Sequence, residues 1–234
     1  MKKVAIIQPN YIPWKGYFDL IASVDVFIFL DDVQHTVRDW RTRNKIKTAA
    51  GTSSWLSVPT LGGRHQLIHE VAIDQSQDWA RKHTEAIRHS YKKTPYFADY
   101  FGPFSEALAR PWTKLVELDI QLTRQLAGWL GLSTEFLRAS ELGASGTKDE
   151  RLIELVQRVG GTHYLSGPAA RDYIRPERFL EANIELAYHS YDGYPSYPQI
   201  SEPFDPFVTV LDLLFAVGAS APDYIWGKLR TRSA

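Results

Sequence analysis

The chain has 234 residues, 44% hydrophobic and 23% charged, the balance of an ordinary globular protein and not of a disordered or fibrous one. Lysine plus arginine and aspartate plus glutamate both total 27, so the basic surplus of a general nucleic-acid binder is absent. There is no cysteine, which excludes disulfides, thiolate metal sites and a cysteine nucleophile, and suits a reducing, cytoplasmic compartment.

Aromatic residues make up 13% of the chain, with seven tryptophans, and rings of that kind serve ligand clefts as well as cores. The opening MKKVAIIQPNYIPW holds an apolar run too short for a signal-peptide core, so a strand at 3–8 is expected and not an export signal. Next, WKGYFDLIASV carries Phe18, Ile21 and Ala22 at helical spacing, and DVFIFLDD reads as a second strand at 25–31. Both strands are continuously apolar, as in a parallel sheet covered on two faces. RTRNKIKT, WLSVPT and LIHEVAID are further short strand candidates, and 78–131 is mainly helical, broken at Pro95, Pro103 and Pro111. Thr147 and Glu150 have capping-box spacing ahead of RLIELVQRVGG. A strand THYLSG, a helix from Pro168, the aromatic loop YDGYPSYPQI and an amphipathic helix from about Phe207 complete the chain. The expectation is one α/β unit over 1–234, built on a mainly parallel, Rossmann-like sheet, with a helical insertion at about 78–142 and a C-terminal helix. No stretch approaches the ~20 apolar residues of a membrane helix, so no membrane insertion is expected.

Residues able to carry chemistry gather at predicted strand-to-helix junctions, where parallel sheets place ligands and where helix starts present N–H groups to anions. The first junction holds Gln8, Asn10, Tyr11, Trp14, Lys15, Gly16 and Tyr17; the alternative is a loop pinned to the core by prolines and rings. At the end of the second strand stand Asp31, Asp32 and Gln34. Neighbouring carboxylates point to opposite sides of a regular strand, so one of the aspartates would face a ligand, as general base, magnesium ligand or holder of a hydroxyl or amine, unless both merely cap a turn. Arg41, Arg43, Lys45 and Lys47 share one face of an extended segment. They suit a phosphate clamp, with Arg41, Arg43 and Asn44 the better placed, or else a strand edge guarded by charge. Lys148 with Glu150 and Arg151 at one helix start, and Ser166, Gly167 and Arg171 at the next junction, repeat the anion-site logic, although Glu150 is more simply a capping residue. Tyr191, Tyr194, Tyr197 and Gln199 either wall the cleft or cover a sheet edge. His65 and His69 lack a third ligand, so no metal site is expected, and GxGxxG, P-loop, GxSxG and HExxH signatures are all missing. Whether a cofactor is used is not legible in the sequence.

Taken in order, QPNYIPWKGYF, FLDDVQ, WRTRNKIK, the Lys-x-Glu-Arg-Leu-Ile run from Lys148, YLSGPAARDY and YPSYPQ resemble the WbqC-like protein family over nearly the whole chain. That resemblance implies a place in bacterial O-antigen or related polysaccharide biosynthesis and a transferase role, glycine being the suggested group; it brings no established catalytic residues. A fainter likeness joins the Trp14 to Tyr17 run and the Ser166 to Arg171 turn to nucleotidyltransferases, which place His-x-Gly-His at the first position. Trp and Tyr stand there instead, which counts against nucleotidyl transfer but not against a similar sheet. The expected activity is thus transfer of a glycyl or other acyl group to an amino sugar, on a nucleotide-linked substrate, from an adenylate, a thioester or an aminoacyl-tRNA donor. A nucleotide-dependent transferase or ligase and a non-catalytic sugar- or nucleotide-binding subunit are the alternatives. Oligomeric state is not legible.

Overall fold

In a computed structural model, residues 1–63 and 65–227 are described; the last seven residues of the expected unit lie outside this range. The elements run β1 (Lys3–Ile7), α1 (Lys15–Ala22), β2 (Val26–Phe29), β3 (Arg43–Lys47), β4 (Ser53–Ser57), β5 (Thr60–Leu61), β6 (Ala72–Ile73), α2 (Trp79–Tyr91), α3 (Phe97–Leu108) and α4 (Leu115–Trp129). Then come β7 (Glu135–Arg138), α5 (Ala139–Leu142), α6 (Asp149–Arg158), β8 (His163–Ser166), α7 (Pro176–Glu181), β9 (Glu185–Tyr188) and α8 (Val210–Val217).

Five strands form one sheet in the order β7-β2-β1-β8-β9, and every pairing is parallel. By sequence within the sheet this is 3-2-1-4-5, the Rossmann order, so the fold is α/β as expected. Val4 pairs with Val26 and Ile7 with Phe29, the adjacency that a short strand-helix-strand unit demands. Side chains alternate along these strands. Ala5, Phe27 and Phe29 enter the larger core with residues of α1, α2, α3, α4 and α8, while Val4, Ile6, Val26 and Ile28 enter a second core with residues of α6 and α7. Burial on both faces explains why both strands read as unbroken apolar runs.

Several local expectations are corrected. The first strand begins at Lys3 as expected but ends at Ile7, before Gln8. β3 and β4 pair with each other as an antiparallel hairpin outside the main sheet. LIHEVAID is a 3-10 turn at Ile68–Glu70 plus the two-residue β6, because Ile68 N and His69 N donate to the carbonyls of Val33 and Asp31 and draw the segment into a turn. Pro103 lies inside α3, on its exposed side, where water can satisfy the carbonyl that the missing N–H leaves. The helical stretch ends before β7, which returns to the sheet edge. Pro168 starts a short 3-10 turn, Pro168–Asp172, and the following α-helix begins only at Pro176. α8 is not amphipathic but buried from Val210 to Ala216, because it is packed within the larger core.

Candidate functional site

β1 and β8 are neighbours whose outgoing connections lead to opposite sides of the sheet, and α/β sheets open a crevice at such a switch point, beyond the carboxyl ends of the strands. A cavity of about 720 Å³ lies there. Ile6, Ile7, Gln8 and Leu30 bring the ends of β1 and β2 to it; Asn10, Trp14 and Tyr17 come from the first junction, Ser166 and Gly167 from the second, and Lys148 and Arg151 from the start of α6. Trp40, Tyr173 and Tyr191 complete its aromatic lining. Thus Gln8, Asn10, Trp14, Tyr17, Lys148, Ser166 and Gly167, far apart in the chain, line one cavity.

Local geometry shows how they are held. A Cβ on Gly16 would sit 2.3 Å from the Trp14 indole, so glycine there lets the ring lie against the first turn of α1. Tyr191, Tyr194 and Phe207 surround that indole with ring centroids at 5.2, 6.1 and 5.7 Å. The Tyr17 hydroxyl donates to the Gln8 carbonyl at 3.1 Å. Lys148 has φ +50°, a left-handed conformation that a lysine adopts only when its surroundings impose it, and its ammonium makes no ion pair among the described residues. Tyr191 lies on a loop anchored by His189, whose Nε2 is 2.6 Å from the buried Asp19 carboxylate, and by Tyr194, whose hydroxyl donates to the same oxygen at 2.7 Å. Burial pushes the Tyr191 phenol up to about 12, so it is neutral and able to donate near neutral pH.

Other expected site residues are used elsewhere. Asp31 and Asp32 do not line the cavity. The chain turns just after β2, with Asp31 N donating to the Phe29 carbonyl, so the alternation of a regular strand is lost. Asp31 is fully buried and accepts from Arg138 Nε at 2.9 Å, Ser140 N at 2.9 Å and Ser140 Oγ at 2.8 Å, tying β2 to β7 and α5. Asp32 accepts from Arg151 Nε at 3.3 Å and from a terminal nitrogen of the same guanidinium, so it orients a cavity-lining cation. Neither carboxylate is placed as a general base.

The cationic stripe is corrected as well. Arg41 pairs with Asp39, Arg43 covers the Trp55 ring at 4.4 Å, and Lys45 reaches Asp205 at 3.2 Å. Lys47 is buried and donates to the carbonyls of Gly51 and Pro203, the opposite of a solvated edge. Asn44 Nδ2 donates to the carbonyls of Tyr11 and Ile12 and so supports the left-handed Ile12, φ +35°. Tyr11 is buried with its hydroxyl 2.8 Å from His83 Nδ1. Lys15 is buried among the rings of Tyr194, Tyr197 and Phe204. Gln199 donates to Asp212 at 2.8 Å and is 3.3 Å from the Tyr197 hydroxyl, so both shore up the aromatic loop. Arg171 stacks over Tyr188, and Gln34 is exposed beside Leu67. What sequence reasoning missed is Trp40, hidden in a segment read for its charges, together with the Asp19–His189 anchor, whose members are 170 residues apart.

Over residues 8–224 the chain matches the WbqC-like protein family. It belongs to that family. It is also 46% identical over 230 residues, spanning 96% of this chain and 98% of the other, to the uncharacterized protein Rv1507c of Mycobacterium tuberculosis. No solved structure gives a significant match. In this family member, no helix among the described residues is long and apolar enough to cross a membrane.

Proposed function

We propose that this WbqC-like protein is a transferase of surface-polysaccharide biosynthesis that binds a phosphate-bearing, nucleotide-linked amino sugar in the switch-point cavity and moves a glycyl or other acyl group onto its amine. The observation that carries this reading is the make-up of the cavity: two cations, Lys148 and Arg151, beside the carboxamides of Gln8 and Asn10 and the ring of Trp14. Cations suit phosphate, carboxamides suit hydroxyls and amides, and an aromatic wall suits a ring. In the transfer, the amine nitrogen bonds to the acyl carbon, the bond from that carbon to its oxygen or sulfur leaving group breaks, and the amine proton passes to water or to the leaving group. With Asp31 and Asp32 ion-paired, the protein's part is proximity and orientation, which alone can be worth ~7–11 kcal/mol of barrier.

The same pairing favours one second reading, a binding subunit that holds the sugar nucleotide for a separate catalytic partner. Both are tested by incubating the protein with UDP- and dTDP-linked amino sugars and glycyl adenylate, glycyl thioester or glycyl-tRNA, with mass spectrometry for the glycyl amide. Amide formation supports the transferase; binding without product, with activity restored by a partner, supports the subunit. Failure of every sugar nucleotide to bind overturns both.

A further inference from the structure

Beside the switch-point cavity lies a second one of about 390 Å³, and Asn10, Trp14 and Trp40 line both, so the two adjoin. Trp14 and Phe207, with centroids 5.7 Å apart, come to it from the first junction and from the segment before α8, and Trp40 comes from the start of the hairpin. Trp40 is braced by Trp55 at 5.6 Å, and Trp55 by the Arg43 guanidinium. Trp40, Trp55 and Phe207 are 44%, 45% and 56% exposed. Large rings left this open in one arc, on a chain that buries most of its apolar side chains, mark a binding surface.

The polar inventory of the slot decides what it takes. Asn44 is committed to the backbone of Tyr11, Ile12 and Lys45, and Lys45 to Asp205. That leaves the Asn10 carboxamide, which has no hydrogen-bond partner among the described residues. A pyranose brings several hydroxyls, and one carboxamide would pair few of them. A planar base offers faces to the rings and one donor–acceptor edge to one carboxamide, the pairing by which asparagine reads a base.

We infer that this aromatic slot seats the nucleobase of the substrate, Trp40 and the Trp14–Phe207 pair supplying stacking faces and Asn10 reading the base edge, while the phosphates extend into the first cavity toward Lys148 and Arg151. The inference rests on the proposed reading of that cavity as a sugar-nucleotide site and adds which part of the ligand lies where.

Calorimetry on the full chain with UMP, dTMP, CMP, AMP and GMP, and with glucosamine 1-phosphate as the base-free probe, tests it. At least one nucleotide should bind more tightly than the sugar phosphate. Phe207→Ala, at an exposed ring that lines the slot and not the first cavity, should weaken that nucleotide by about tenfold or more and leave glucosamine 1-phosphate unchanged, and Trp40→Ala, at the seam of both cavities, should weaken the nucleotide more than the sugar phosphate; each variant is checked by its melting curve. Asn10→Ala should reduce the preference among bases, and Lys148→Ala should weaken both kinds of probe. If glucosamine 1-phosphate binds as well as every nucleotide, or if both ring variants bind nucleotides normally, the base slot is wrong while the phosphate site stands. Absence of binding by all probes overturns the slot and the underlying reading together.

Discussion

Single residues here divide into those that hold the cavity open and those that hold the fold. Gly16 belongs to the first class. Gly16→Ala would force the Trp14 ring off the first turn of α1, so ligand affinity should fall while the melting temperature changes little; calorimetry and a melting curve on one sample measure both. Lys148→Ala or Arg151→Ala should weaken a phosphate-bearing ligand by about 1.5–3 kcal/mol, the worth of a hydrogen bond to a charged group. Asp119 in α4 fits neither class, since it acts against the fold. It is fully buried, both its oxygens lack hydrogen-bond partners among the described residues, and burial lifts its pKa well above the ordinary carboxylate value, with Arg41 opposing. A carboxyl with a raised folded pKa costs stability as pH climbs from its unfolded value toward the folded one. Asp119→Asn should therefore raise the melting temperature at neutral pH, and by less near pH ~4, which melts across a pH series will show.

Elements are tied together by a few buried polar contacts with separable signatures. Tyr11, after β1, is joined to α2 through His83, whose pKa burial lowers to about 4. The folded state thus prefers the neutral ring: this stability is complete above the unfolded value of 6.5 and is lost as pH falls toward 4. The shift is worth about 3 kcal/mol in all. Denaturant unfolding of wild type should weaken through that window, and His83→Gln should flatten the slope at some cost in stability at neutral pH. At the other end, Asp31→Ala would leave Arg138 without its buried partner and untie β2 from β7 and α5. Loss of about 3–5 kcal/mol is expected in equilibrium unfolding, and a folded, fully stable variant would contradict the structural role assigned to Asp31.

At the scale of the molecule, a ligand that bridges β1, β8 and α6 should stabilise all of them together, and a sugar nucleotide at about a hundred times its Kd should add ~2.7 kcal/mol to unfolding, visible as a thermal shift. The sequence by itself determined the parallel sheet and the position of the cleft. Unbroken apolar runs on either side of a short helix allow hardly any other pairing of β1 with β2, and a polar, aromatic loop at a strand-to-helix junction stands wherever that sheet puts its open end. It also set the family, because six motifs in order specify a chain far better than any one of them. β7 and β9 escaped, being four-residue edge strands whose side chains are only partly buried, with no continuous apolar signal to read. Tertiary structure alone decided which polar residues face the ligand. Charge and type are written in the chain, but the partner of each charge is not. Asp31 finds Arg138, Asp32 finds Arg151 and Lys47 finds the carbonyl of Pro203, contacts 107, 119 and 156 residues apart that only the folded backbone brings into range, so groups that read as free in the chain are already committed in the fold.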